Sequence, residues 1–426
     1  MAREFKDSGI EWIGQIPKEW EVCPHKHIMF KKKEIQEHYA GQDIISLTMN
    51  GVVVRDLDAG GKMPLSFDGY QIIYPNNLLL CLFDIDVTPR CVGLINNYGV
   101  TSPAYSQFVV KEKGYPPYYD YLLRYMDDHK CLLHLSKNLR SSLTETDFGQ
   151  IKTCIPPYTE QQKIADYLDK ICGEVDEMVA LQETMIEELK AYKQSVITEA
   201  VTKGLNPNVP MRNSGIDWIG EIPEHWEVIK LSFLTSKIGS GSTPTGGANV
   251  YVHEGVKFLR SQNVYFEGLN LNDVAFITET IDEEMKGTRV KPGDVLLNIT
   301  GGSIGRCYYV NESLGRANVN QHVSIIRPTK IETIYLKYSL QSDLGQNQIA
   351  LLQTGGNREG LSAAALSNFK ILFPPMSEQR TIASYLDTKC SEIDSLIALK
   401  QTKIEELKEY KKSVIYEYVT GKKEVC

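Results

Sequence analysis

Side chains able to do chemistry are plentiful in this 426-residue chain, yet none falls into a catalytic pattern. The glycines of Gly301-Gly-Ser-Ile-Gly305 and of 239–247 are not followed by the Lys-Ser/Thr pair that a phosphate-cradling loop requires. His25-x-His27 lacks a cysteine or carboxylate set at metal-ligand spacing, and no Gly-x-Ser-x-Gly elbow is present. Ile155-Pro-Pro-Tyr158 and Tyr115-Pro-Pro-Tyr118 resemble loops that grip an amine for methyl transfer. Both lack the polar first residue that would accept the amine's hydrogen bond, so they read as helix punctuation. What remains is a set of polar loop residues of the types that hold base edges or phosphates. In the second half these are Ser240, Ser242, Thr243, Arg260, Gln262, Asn263, Asn320, Gln321, His322 and Arg358; in the first, Thr48, Asn50, Arg55, Tyr105, Gln107 and Arg140. Arg, Gln and Asn can pair bidentately with bases, and Ser and Thr reach bases or phosphates. The competing reading is that such residues are simply what loops contain.

The elements that must position these residues are written twice. KDSGIEWIGQIPKEWEV (6–22) returns as RNSGIDWIGEIPEHWEV (212–228) with 11 of 17 positions identical. Residues 155–204 return as 373–422 with 28 identities in 50, so the chain is an internal duplication. Trp12, Trp20, Trp218 and Trp226 belong to the short heads, too alike in the two copies to discriminate different targets. They are expected to pack structurally or to dock a partner subunit. Residues 160–203 and 378–420 carry apolar residues at heptad-like spacing and predict two helices of about 65 Å. Proline pairs precede them, Thr159 and Ser377 are the expected N-caps, and Gly204 and Gly421 the expected C-terminal stops. The middles alternate short β-like runs with turns, and each closes with a helical stretch near 118–135 and 334–352. Pro75 with 78–80 mirrors Pro292 with 295–297, and Arg90-Cys91 mirrors Arg306-Cys307. One α+β fold with two different surfaces is implied.

Composition bounds the class of protein. With 42% hydrophobic and 23% charged residues the chain is globular, and its longest apolar run, 78–83, is far too short to span a bilayer. Nine cysteines occur without a Cys-x-x-Cys pair, which reads as reduced thiols in a cytosolic protein. The net charge of −8 argues at first against a polyanionic partner, but the acid is not evenly placed. Residues 160–204 carry −5, whereas 23–154 balance at 0 and 229–372 reach +2. A polyanion-binding face on either middle segment is therefore open.

Over its whole length the chain resembles the specificity subunits of type I restriction–modification systems. The resemblance rests on the paired SGI-[ED]-WIG-x-IP heads, the EQ helix openings, the IEELK–YK–SVI helices and, in the second middle, LRSQNV, GDVLLNITGGSIGR, ANVNQHVSIIRP and GGNREGL. It implies an α+β protein with two target recognition domains, 1–155 and 212–373, and two spacer helices, 156–204 and 374–422, joined by a linker at 205–211. The helices would pack as an antiparallel coiled coil with internal pseudo-two-fold symmetry, setting the DNA spacer between half-sites. It further implies a non-catalytic chain with no metal or cofactor of its own. S-adenosylmethionine, ATP and Mg are expected in partner subunits. Double-stranded DNA, two methyltransferase (modification) subunits and restriction/translocase subunits are the expected partners, in the cytoplasm and away from membranes. The alternatives are a stand-alone methyltransferase or nuclease with unrecognised motifs, and a protein scaffold that does not bind DNA.

Overall fold

The computed structural model describes residues 3–58, 64–88, 90–136, 141–216, 218–352 and 360–425. Two of the sequence candidates, Arg140 and Arg358, lie outside the described residues. The chain folds into two compact units, Met1–Glu183 with Gln401–Cys426, and Thr184–Lys400. Each unit therefore holds one head, one middle and a length of both long helices.

In the first unit, a four-stranded antiparallel sheet runs in the order Met29–Lys32, Ser106–Val110, Leu78–Leu80, Val92–Leu94. The helix Pro116–Asp128 packs on it through Leu122, Leu123 and Met126. In the second unit the corresponding sheet runs Thr235–Ser240, Val323–Pro328, Val295–Asn298, Cys307–Tyr309, against the helices Thr333–Gln341 and Asp343–Leu352. The same strand order in both units is the architecture expected from the duplicated skeleton. One detail of that alignment shifts. Leu80 faces Val92, and Leu297 faces Cys307, so Val92 rather than Cys91 is the counterpart of Cys307. The connection between these strands is two residues shorter in the second unit, a change that sequence matching absorbed by sliding one position. The second unit also has a three-stranded sheet, Ala275–Ile277, Val256–Leu259 and Ala317–Val319, whose last pair is parallel.

The long helices span Tyr158–Lys203 and Met376–Val419. They run antiparallel in each unit. In the first, Tyr167 packs beside Tyr418 and Asp176 bonds Lys411 at 2.7 Å. In the second, Met185 lies beside Lys400 and Lys193 bonds Asp394 at 2.7 Å. The two ion pairs occupy equivalent positions of the repeat. Not all of the apolar stripe is buried: Met178, Tyr192, Leu396 and Tyr410 remain exposed, because a two-helix seam covers a narrower face than the full stripe. The helix openings also differ from expectation. Each helix begins two residues earlier, at Tyr158 and Met376, so Thr159 and Ser377 lie within the first turn and are not N-caps. The carbonyl of Pro157 already accepts from the amides of Glu160 and Gln161, and that of Pro375 from Gln379. Instead of a hydroxyl cap, a fully buried glutamine fastens each opening. Gln161 donates to the Pro156 and Lys113 carbonyls and accepts from the Tyr115 amide. Gln379 donates to the Pro374 carbonyl and accepts from the Glu332 amide.

Both long helices end at a glycine in the left-handed region, Gly204 at φ +76° and Gly421 at φ +69°, as the sequence predicts. Each glycine lies under a head tryptophan that is wholly buried: Gly421 under Trp20, and Gly204 under Trp226. The head that opens the chain thus caps the second helix, and the head after the linker caps the first. Trp20 Nε1 donates to Glu160 at 3.0 Å, and Arg3 bonds the same carboxylate at 2.6 Å. In the second copy Glu378 instead bonds His225, and Trp226 Nε1 is enclosed without a hydrogen-bond partner. The four tryptophans do not share one role. Trp12 packs half-buried against Tyr125, whereas Trp218 is 42% exposed, so the packing role rests on Trp20 and Trp226.

Candidate nucleic-acid interface

The second unit gathers its polar loops at one edge, and backbone hydrogen bonds explain how. Strand Thr235–Ser240 runs into Gly241, whose amide donates to the Val323 carbonyl, while the Ser242 amide donates to Val319. A Cβ on Gly241 would stand 2.0 Å from the Val319 carbonyl oxygen, so only glycine permits this approach. The Asn320 amide donates to Leu259, which brings the turn 319–323 beside Arg260. The Ile299 amide donates to the His322 carbonyl, and Asn298 Nδ2 to Ser261. Four segments distant in sequence, 240–243, 260–263, 298–300 and 320–322, therefore meet.

Within this cluster the candidates divide by what their side chains already bond. Ser240, Thr243, Gln262 and Gln321 are exposed and able to meet a ligand. Asn263 is 1% exposed: its Oδ1 accepts from the Arg260 amide and its Nδ2 donates to the Asn270 and Asp273 carbonyls. It is a turn-forming residue and presents no edge to a base, which corrects its place among the readers. Asn320 is also buried, with Oδ1 accepting from the His322 amide. His322 Nδ1 shares a 2.6 Å hydrogen bond with the Thr300 hydroxyl, and its Nε2 side faces Gln321. Arg260 lies over the Tyr251 ring and donates to the carbonyl and carboxylate of Asp273. Gln262 donates to that same carboxylate at 2.6 Å. Asp273 was not among the sequence candidates. It is separated in sequence from its partners, and an acid in a loop carries no signal of what it will hold.

In the first unit the candidates are not gathered in this way. Thr48 and Asn50 form the tip of the hairpin Ile45–Thr48 with Gly51–Val54. The Thr48 hydroxyl donates to the Gly51 carbonyl and accepts from the Asn50 amide, leaving the exposed Asn50 side chain as the outward group. Arg55 follows that hairpin, close enough to Tyr105 for its charge to act on the phenol, and Tyr105 stacks on Phe83. Burial is the larger influence on Tyr105 and raises its pKa above the ordinary phenol value. Gln107 is fully buried. It donates to the Ile72 carbonyl and accepts from the Tyr74 amide and Asn77, so it holds the sheet together and is not available to a base.

Charged groups behind the surface are structural. Burial opposes the charge of Asp282, but hydrogen bonds from Arg289, Asn318 and Arg316 outweigh it and hold the carboxyl below its ordinary pKa. Burial lowers the pKa of Lys337, whose ammonium lies 3.6 Å from the Tyr338 ring centroid and 3.3 Å from Asp387. Among the described residues no three His, Cys, Asp or Glu side chains are placed to hold a metal ion, and no helix is long and apolar enough to cross a membrane. Eight described cysteines are free thiols.

This fold has solved counterparts. A structure described as the basis of complex assembly and conformational transition of the type I R-M system superposes with a TM-score of 0.69 at 15% identity, covering 95% of this chain and 98% of its own. The HsdS subunit from Thermoanaerobacter tengcongensis superposes with a TM-score of 0.50 over the same shares, also at 15% identity. In sequence, residues 223–409 match the type I restriction modification DNA specificity domain. The chain is 30% identical over 283 residues to the MjaVIII specificity subunit of Methanocaldococcus jannaschii, covering 65% of this chain and 63% of that protein. It is 28% identical over 320 residues to the putative MjaX specificity subunit of the same organism, covering 73% and 69%. These matches leave about a third of each relative's length unaligned. In sequence the chain is therefore similar to specificity subunits of type I restriction–modification systems.

Proposed function

We propose that this chain is the DNA-reading subunit of a type I restriction–modification complex and has no catalytic activity of its own. Each middle domain reads one half of a bipartite, asymmetric site, and the long helices fix the spacer and carry two methyltransferase subunits. Methylation and ATP-dependent cleavage, with their S-adenosylmethionine, ATP and Mg, then belong to partner subunits in the cytoplasm. The observation that carries this reading is the convergence of 240–243, 260–263, 298–300 and 320–322 on one edge of a rigid sheet. Exposed donors and acceptors on three of these segments, at Ser240, Thr243, Gln262 and Gln321, suit a groove-sized ligand better than a small molecule in a cavity. The same scaffold in the first unit presents Asn50, Arg55 and Tyr105 instead, which suits a different half-site.

Exchanging residues 23–139 for the matching region of a related subunit tests this directly. The complex with its methyltransferase partner should then methylate a site changed in one half only. A site changed in both halves, or in neither, would defeat the modular reading. Binding of the complex should weaken steeply with salt, as phosphate contacts release counterions.

A further inference from the structure

The carboxylate of Asp273 sits between two of the residues offered as base readers. Arg260 donates from one terminal nitrogen to the Asp273 backbone carbonyl at 2.8 Å and to Oδ2 at 3.3 Å. Gln262 Nε2 donates to the same Oδ2 at 2.6 Å. The turn beneath is fixed by Asn263, which also holds the Asp273 carbonyl. These contacts all fall on Oδ2 or on the backbone, and leave Oδ1 on a side chain that is 82% exposed. The electrostatics matter as much as the geometry. Arg260 by itself would attract any phosphate, but paired with Asp273 it carries no net charge toward the duplex. An exposed carboxylate in this position repels the DNA backbone and makes sense only against a group that donates. In the major groove those groups are the exocyclic amines of cytosine and adenine.

Resting on the DNA-reading function above, we infer that Asp273 is a specificity-determining residue whose Oδ1 accepts a hydrogen bond from a base's exocyclic amine, cytosine N4 or adenine N6. Arg260 and Gln262 act as positioning residues that hold the carboxylate with Oδ2 inward and Oδ1 outward. The arrangement makes a sharp demand on Asp273→Asn. The amide oxygen must stay inward to accept from Arg260 and Gln262, so the amide nitrogen turns outward as a donor. A site that preferred an amine-bearing base should then prefer guanine or thymine, whose groove edges present carbonyl acceptors.

The test uses the complex with its methyltransferase subunits, S-adenosylmethionine and a DNA library randomised across both half-sites, read by sequencing the methylated products. With Asp273→Ala, one position of the half-site read by the second domain should lose about tenfold or more of its preference for cytosine or adenine. With Asp273→Asn that position should switch to guanine or thymine, and the other half-site should be unchanged in both variants. Unchanged preferences in active complexes of the two variants would overturn the assignment. So would a uniform gain in binding to all sequences with a steeper salt dependence, which would mark Asp273 as no more than a neutraliser of Arg260. A parent complex without any sequence preference would instead overturn the DNA-reading function itself.

Discussion

The two helix-ending glycines should respond very differently to the same substitution. Gly421 and Gly204 end the two repeated helices, one position apart in the repeat register, at neighbouring φ values of +69° and +76°, so an alanine at either bears a similar left-handed backbone cost of about 1–2 kcal/mol. Their surroundings are unequal. A Cβ on Gly421 would stand 2.5 Å and 2.7 Å from the Pro17 ring and 2.9 Å from Trp20. Neither ring can yield: Pro17 is paired to Phe5 in the head hairpin, and Trp20 is wholly buried. Overpacking of that kind adds about 1–3 kcal/mol. A Cβ on Gly204 would meet Trp226 at 3.2 Å and the flexible carboxylate end of Glu378 at 3.1 Å, which needs only small adjustments. Gly421→Ala should therefore cost about 3 kcal/mol or more, and Gly204→Ala about half as much. For a unit of roughly 200 residues each kcal/mol moves the melting temperature by about 2–4 °C, giving drops of about 6–12 °C and about 3–6 °C. Scanning calorimetry of both variants reads the shifts, and hydrogen exchange of the segments around Trp20 and Trp226 assigns each to its unit. Equal drops, or a Gly421→Ala protein that melts within 2 °C of the parent, would refute the claim that the first head clamps the end of the second helix.

Further outcomes follow from the same contacts. His25 is wholly buried against Phe148, and burial lowers its pKa to about 4. Unfolded His titrates near 6.5, so the unfolded state takes up the proton first and stability falls as pH drops from about 6.5 toward 4. This residue alone should make the protein about 2 kcal/mol less stable at pH 5 than at pH 7; urea unfolding should show that loss reduced in His25→Phe. Lys337 also has a depressed pKa, with burial as the main cause, so the unfolded state again binds the proton more strongly and stability rises as pH climbs toward 10.5. Lys337→Met should abolish that alkaline rise and, by removing a desolvated charge, leave stability at pH 7 unchanged or about 1 kcal/mol higher. The helices as a spacer ruler can be tested by insertion, but the antiparallel pairing demands two. Four residues after Leu181 alone would leave Asp176 on Lys411 while slipping Lys193 off Asp394; a matching four after Lys400 restores both pairs. The doubly extended complex should methylate sites whose spacer is longer by about one or two base pairs, since four helical residues add about 6 Å and a base pair rises about 3.4 Å. An unchanged spacer in an active complex would rule the ruler out.

The duplication, the long helices, their glycine stops and the α+β middles were all legible in the sequence, because each is a local or periodic property. Heptad spacing, proline pairs and repeated heads survive being read one residue after another. The helix openings were misread for a physical reason: a threonine near a proline pair looks like a cap, but the helix already starts at Tyr158, and the backbone carbonyl of Pro157 accepts from the Glu160 and Gln161 amides. The polar candidates were found by type alone, and type cannot separate a reader from a brace. Gln107 and Asn263 have the right amide groups, and the sheet and the turn claim them; Asp273 has the wrong charge for a DNA surface and yet holds Arg260 and Gln262. Which glycine lies under which tryptophan was equally beyond the sequence. Trp20 and Gly421 stand at opposite ends of the chain and meet only when the first unit closes. Composition and spacing determine what segments can form, since backbone and neighbouring side chains decide that locally. Only the tertiary structure, through contacts between residues that are not neighbours in the chain, decides which polar group is buried, which is paired and which is left to meet a ligand.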